Sequence, residues 1–379
     1  MGYTRHLTGR GRQVSSRATQ ADVARLAGVN RATVSYVLSG RRRGGRISEA
    51  VTLRVREAAR ALGYLPNRQA QALVSGRTRA VGLLVQGLAD DSLWVWSRIA
   101  EGAEDALLKA GHDVLLRRAD FDTPFVSQAE CLVRQGRVDG VVALVWARLD
   151  AVDGATGVPG FPLVSIDLGT GQPCPYVGQD PAPGLVAAVD HLRAEGHWRL
   201  LWVGPRMTPG AAGANRLEAV RIAARARGMS LETAVLPIDV ETVCGAYDRN
   251  MPAVVAGIRA ALPPRPTATA ILCWCDFIAL GLCTVLRERG LRIPGDVSVV
   301  GFDDVGPHMH LPALSTVSGA FSQMGAAAAA LVLRIARGEM GPREARATAV
   351  AVPTFFVRRA SSGPAPETSR PLPEGGAVR

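Results

Sequence analysis

No stretch of this sequence gives the roughly 18 uninterrupted apolar residues that a membrane-crossing helix needs. Its first residues, MGYTRHLTGRGRQVSSRAT, lack the apolar core of a secretion signal, so a cytoplasmic protein is expected. Cysteine is scarce, and the six present (Cys131, Cys174, Cys244, Cys273, Cys275 and Cys283) include no CxxC pair. They read as buried, reduced thiols. No GxGxxG opens a helix after a strand, and neither a GxxxxGK[ST] phosphate loop nor a GxSxG elbow occurs, which removes the commonest signatures of α/β enzymes. GAAGA at residues 210–214 is too permissive to count. His308-x-His310 beside Asp303-Asp304, and Cys273-x-Cys275, do not have the spacing of a structural zinc site. Neither a metal nor another cofactor is expected.

Residues 1–79 also lack lysine and hold three acids, Asp22, Glu49 and Glu57, against sixteen arginines, a net charge of +13. The whole chain carries +11, so everything after residue 79 sums to about −2. A basic block on a nearly neutral body is the pattern of a polyanion-binding module attached to something else. The 379 residues, 47% of them hydrophobic, suffice for two or three compact units.

Composition and periodicity divide the chain into zones. Residues 1–17 (Arg-, Gly- and Ser-rich) and 360–379 (Pro- and Gly-rich) are expected to be a disordered basic arm and a disordered tail. Residues 18–64 read as short helices with no strand: TQADVARLAG, NRATVSYVLSG and SEAVTLRVREAARALG, each closed by Gly. PNRQAQALVSG gives a further helix within a hinge and linker at 65–79. Over 80–359, apolar runs such as AVGLLVQ, DGVVALVW, RLLWVGP, ATAILCW and DVSVVGF alternate with amphipathic helices, which implies parallel sheets covered on both faces.

Thr19-x-x-Asp22 has the form of a capping box, and Ala27-Gly28-Val29 makes a tight turn into a second helix starting near Asn30. Two short helices across such a turn form a helix-turn-helix, whose second helix enters the DNA major groove. Ala24, Val29, Val34 and Leu38 have the spacing to pack the helices together, which leaves Arg31, Ala32, Thr33, Ser35 and Tyr36 for the DNA side.

These residues, with the continuation ISEAVTLRVREAARALGYLPNRQAQALVSGRTRAVGLLV, resemble the LacI/GalR family of bacterial transcription regulators. The resemblance continues through NRLEAVRIAARARG, CDFIALGLCTVLRERGLRIPGDVSVVGFDD, PALSTV and VPTFFVRR, covering about residues 19–359. It implies an all-α helix-turn-helix headpiece and an α/β body like a type I periplasmic binding protein, with two parallel-sheet subdomains. It also implies a homodimer on a palindromic double-stranded operator, a small-molecule effector in the cleft, repression as the commoner output and no enzymatic activity. By position, Arg31 and Ala32 stand where the family reads bases, and Thr19, Thr33 and Ser35 where it touches phosphates; Asn30 and Tyr36 complete that set. Tyr36 replaces a frequent Arg, so the operator need not be the usual one. Asn67 to Leu73 match the hinge helix, with Leu73 as the minor-groove wedge. RRRGGR at 41–46 is longer and more basic than the usual connection, and either adds phosphate contacts or only nonspecific affinity.

Ligands of open α/β sheets bind beyond the carboxyl ends of the strands. Trp94 and Trp96 follow the first apolar run, and Trp146 and Trp274 end two others. The resemblance adds Arg216 and Asp303 as effector-gripping groups, so the effector set is Trp96, Trp146, Arg216, Trp274, Asp276 and Asp303. Asp167-Leu168 stands for a frequent Asp-Arg, Pro181 for an Asn or Asp, and Cys275 for the Asn before Asp276. A cleft more apolar than a sugar site is therefore expected, and the effector class stays open among sugars, nucleosides and related metabolites. The tail shows no heptad pattern, which favours a dimer over a tetramer. Three rivals remain: an enzyme, a secreted solute-binding protein, and a sequence-blind DNA-compacting protein.

Overall fold

The computed structural model describes residues 18–39, 47–85, 93–120, 123–144, 161–166, 174–207, 213, 215–240, 243, 247–305 and 312–367. Two compact units divide at Thr78/Arg79.

Among the described residues the N-terminal unit is helical: α1 Gln20–Ala27, α2 Arg31–Ser39, α3 Glu49–Ala61 and α4 Arg68–Ser75. The helix starts follow from side-chain oxygens that satisfy backbone N–H groups left open in a first turn. Thr19 and Asp22 form a reciprocal capping box, and the Asp22 carboxylate is held below its usual range by hydrogen bonds from Thr19. Ser48 caps α3. Gly28 ends α1 in the left-handed region, φ 63°, where a residue without Cβ bears no strain. Val23, Ala24, Ala27, Val34, Val55, Ala58 and Ala59 form the core, with Val29 and Leu38 packed against it.

Among the described residues the second unit holds two six-stranded sheets. Its strands are β1 Ala80–Val85, β2 Asp113–Arg118, β3 Gly140–Leu144, β4 Leu163–Ile166, β5 Tyr176–Asp180, β6 Arg199–Arg206, β7 Ser230–Asp239, β8 Ala270–Cys273, β9 Ser298–Asp303, β10 Ser315–Ser318, β11 Ala349–Pro353 and β12 Phe355–Val357. Its helices are α5 Leu93–Lys109, α6 Phe125–Arg134, α7 Ala182–Ala194, α8 Asn215–Ala226, α9 Tyr247–Ala261, α10 Asp276–Glu288, α11 Phe321–Ala336 and α12 Pro342–Ala347. The first sheet runs β11-β5-β4-β3-β1-β2 and the second β12-β10-β9-β8-β6-β7. Only the β10/β12 pair is antiparallel among the described strands. Each sheet is one lobe, and the chain crosses between them at Asp180–Ala182, Ser318–Phe321 and Pro353–Phe355. The β3, β4 and β8 runs are buried throughout, as expected for strands covered on both faces.

In the first lobe α5 packs tightly on α11, backbone against backbone. A Cβ on Gly325 would lie 1.9 Å from the Ile99 carbonyl oxygen, and one on Gly102 would lie 2.0 Å from that of Ser322. Gly325→Ala is therefore expected to force the helices apart and cost at least about 1–3 kcal/mol, read as a lower midpoint in urea unfolding; an unchanged midpoint would contradict this packing.

The expected disordered tail needs correction over residues 360–366. Ser361 and Ser362 are buried. Ser361 Oγ donates to the Val299 carbonyl at 2.6 Å and accepts from the Ser315 amide at 2.7 Å. The Gly363 carbonyl is 2.9 Å from His197 Nε2, and the Ala365 amide donates to the Glu195 carbonyl. Although this segment is low in apolar residues, side-chain and backbone hydrogen bonds fasten it, a pattern that hydropathy does not register.

Candidate functional site

On the headpiece, Arg31, Ala32 and Ser35 are exposed on α2, and Ser35 lies one turn after both Arg31 and Ala32, so the three border one face. Asn30 Oδ1 accepts from the Thr33 amide at 2.7 Å and the Thr33 hydroxyl at 2.9 Å, so both residues build the start of that helix. Thr19 is exposed at the start of α1, while Tyr36 is half-buried. Asn67 Oδ1 accepts from the Ala70 amide at the start of α4. Leu73 is 88% and Val74 83% exposed, so Leu73 does not pack beneath the headpiece.

In the body, the polar residues converge where the strands of the second lobe end. Arg216 lies in the first turn of α8, with its side chain 6% exposed. Its guanidinium stacks 3.7 Å from the Phe302 ring centroid and 4.8 Å from that of Trp274. Nη1 donates to the Trp274 carbonyl at 2.6 Å, and Nη2 to Asp303 Oδ1 at 3.2 Å and Gln179 Oε1 at 3.3 Å. Nε is buried and has no hydrogen-bond partner among the described residues. A buried donor without a partner costs free energy, and a ligand oxygen would remove that cost.

Asp303 and Asp304 have φ of 109° and 58°, conformations that cost a non-glycine residue energy and persist only where neighbours impose them. Three contacts impose them here. Arg216 holds Asp303, Arg359 Nη2 donates to Asp304 Oδ1 at 2.6 Å, and the Val305 amide donates to Asp276 Oδ2 at 2.8 Å.

Two sequence assignments are corrected by this geometry. Asp276 is 3% exposed, and its other oxygen accepts from the Thr316 hydroxyl at 2.6 Å. Burial pushes its carboxyl well above the usual range. It supports the 303–305 turn and offers no free oxygen to an effector. Trp96 is 2% exposed in the apolar core of the first lobe, with Ile99, Phe321 and Met324, which leaves almost no ring surface for a ligand. Trp274 does join Arg216 and Asp303, its Nε1 donating to the Gly213 carbonyl at 3.3 Å. Trp146, Asp167, Leu168, His308 and His310 lie outside the described residues, as does RRRGGR.

Gln179, Phe302, Thr316 and Arg359 were not singled out by the sequence. Gln179 lies at the end of YVGQD, a strand too short and polar to stand out, and Arg359 in a segment read as the end of the fold. A polar residue beyond a strand end was the signal that could have found Gln179.

Burial raises the Asp303 carboxyl to about 6, although Arg216 opposes the shift. Between 3.8 and 6 the folded chain holds a proton that the unfolded chain releases. This group's contribution to stability therefore falls as pH rises through that window, by on the order of 3 kcal/mol, and is constant above it. Asp303→Asn is expected to abolish this component, measured as urea unfolding at pH 4.5 and 7.5; an unaltered pH dependence would contradict it.

Among the described residues no helix is long and apolar enough to cross a membrane, and no group of three or more His, Cys, Asp or Glu could hold a metal ion.

Comparison with known proteins places the two units. Residues 19–67 match the bacterial regulatory proteins of the lacI family, and residues 189–362 match a periplasmic binding protein-like domain. The chain is 32% identical over 333 residues to the HTH-type transcriptional regulator CelR of Thermobifida fusca, covering 85% of this chain and 93% of that one. It is 30% identical over 356 residues to the HTH-type transcriptional regulator GalR of Escherichia coli, covering 93% and 98%. Among solved structures, a CelR–cellobiose complex aligns with a TM-score of 0.58 at 27% identity, covering 91% of this chain and all of that one. A lac repressor dimer bound to operator and the anti-inducer ONPF aligns at 0.65 over 92% and 100%, and at 23% identity shares the fold. Its relatives are transcription regulators and not enzymes. The chain belongs to the lacI family of bacterial regulatory proteins, with a helix-turn-helix unit ahead of a periplasmic-binding-protein-like body.

Proposed function

We propose that the protein is a cytoplasmic, nucleoid-bound repressor that binds a palindromic operator as a homodimer and changes its grip when a sugar, nucleoside or related metabolite enters the cleft. The observation that carries this reading is the exposed Arg31–Ala32–Ser35 face on a firmly capped helix within a block of charge +13. Arg31 contacts guanine, Ser35 and Thr33 lie near phosphates, and Leu73 inserts at the centre of the site. Leu73 and Val74 are apolar and exposed, which favours a function outside the unit's own core.

Arg216 and Asp303 support the effector half of the reading. One supplies a buried donor without a partner among the described residues and the other a carboxylate, both beside strand ends, as hydroxyl-bearing ligands require. A relative's structure holds cellobiose, which makes cellobiose the first compound to try.

Selection of genomic DNA fragments by the purified protein, followed by footprinting, tests the reading. The expected result is protection of a palindrome with two half-sites; uniform, sequence-blind protection would refute it. Titrating cellobiose, ribose and adenosine into the bound complex then tests for an effector.

A further inference from the structure

Arg216 belongs to the second lobe, and its Nη2 reaches across the cleft to Gln179, at the end of β5 in the first sheet. Gln179 Nε2 in turn donates to the carbonyl of Gly319 at 3.0 Å, within the second crossover. This arrangement fixes the amide's orientation, because a guanidinium only donates and a carbonyl only accepts.

The amide is packed against the crossover as well as bonded to it. A Cβ on Gly319 would come within 2.7 Å of Gln179 Nε2 and 2.5 Å of the Phe321 ring. The next residue, Ala320, has φ 51°, a conformation that needs such support. Beside Gln179, the carbonyl of Asp180 accepts from the Thr354 amide at 3.0 Å and the Thr354 hydroxyl at 2.9 Å. Thr354 Oγ1 also accepts from the Gly184 amide at 3.2 Å. Residues 179 and 180 therefore touch the second and third crossovers while forming the start of the first.

We infer that Gln179 is the positioning residue that couples Arg216 to the three crossovers, and so to the arrangement of the two lobes. A ligand oxygen that claims Arg216 Nη2 competes with Gln179 Oε1. When the amide lets go, the Gly319 carbonyl and the strained Ala320 lose support and the lobes are freed to shift. A ligand that leaves this bond intact occupies the cleft without a signal. The inference rests on the reading of the cleft as the effector site and names the side chain through which it reports.

The test uses the full chain without added ligand. Gln179→Leu removes both bonds, whereas Gln179→Glu keeps an acceptor for Arg216 and sets an oxygen against the Gly319 carbonyl. Hydrogen exchange should quicken roughly fivefold, the factor that one ordinary hydrogen bond is worth, at 176–182, 315–322 and 352–357 in the Leu variant and at 315–322 in the Glu variant. Exchange in β1 and β6 should match the wild type. The Leu variant's affinity for a genomic fragment selected by the wild type should also move by a comparable factor, which a purely local contact would not produce. If Gln179→Leu does not fold, the same two measurements on Gln179→Glu decide. Wild-type exchange at the crossovers, or loosened crossovers with unchanged DNA affinity, would overturn the inference. A wild-type chain that selects no fragment would instead sink the regulator reading, and exchange alone would then decide whether the tie exists.

Discussion

Arg216→Ala is expected to destabilise the body by about 3–5 kcal/mol, because removing one partner of a buried ion pair leaves the other without compensation. Asp303 is 13% exposed, and its Arg216 partner also donates to the Trp274 carbonyl and to Gln179. All three acceptors lose a donor, and the stack between Phe302 and Trp274 opens. The loss should shrink below about pH 6, where Asp303 takes up a proton and no longer needs a cation. Urea unfolding at pH 7.5 and 5.0 measures both parts. A change below ~1 kcal/mol at neutral pH would mean that the pair is not the keystone of the cleft. No effector that shifts the wild type's thermal midpoint should shift that of the variant.

The second large effect concerns DNA. Arg31→Ala should weaken binding to the preferred site by about 10–100-fold, the worth of a bidentate guanine contact, and change binding to random DNA far less. Leu73→Ala should cost about tenfold or more through a lost wedge. It should leave thermal stability unaltered, since Leu73 is 88% exposed and fills no core. Competition assays with specific and random duplexes separate the two. Equal losses on both duplexes would reduce Arg31 to a phosphate contact, and a stability loss in Leu73→Ala would return it to a packing role.

The headpiece was legible because its signals are local. Thr19, Gly28 and Asn30 each act within three or four residues of themselves, and the α2 face follows from helical spacing. The long apolar strands were legible for a similar reason, since burial on both faces leaves continuous runs. The sequence was less informative where a residue's role depends on distant partners. Asp276 carries the same carboxylate as Asp303, yet Thr316 and Val305 occupy it, 40 and 29 residues away. Trp96 and Trp274 both follow strands, and only packing distinguishes the buried one in the first-lobe core from the one beside Arg216. The short strands β5, β10, β11 and β12 lie at or near the crossovers; β5 and β10 carry polar residues, and β11 and β12 span only five and three residues, so periodicity does not reveal them. The buried serines near the C-terminus read as a loose tail because their stability comes from hydrogen bonds to residues 298–315.

The most direct test of the central claim is equilibrium binding to a selected genomic palindrome and to a scrambled duplex of equal length, across a salt series. Sequence-specific recognition predicts that both affinities fall with salt while the palindrome keeps an advantage of about a thousandfold or more. Superimposed curves, equally steep and equally blind to sequence, would contradict the account and reduce the basic headpiece to an electrostatic anchor.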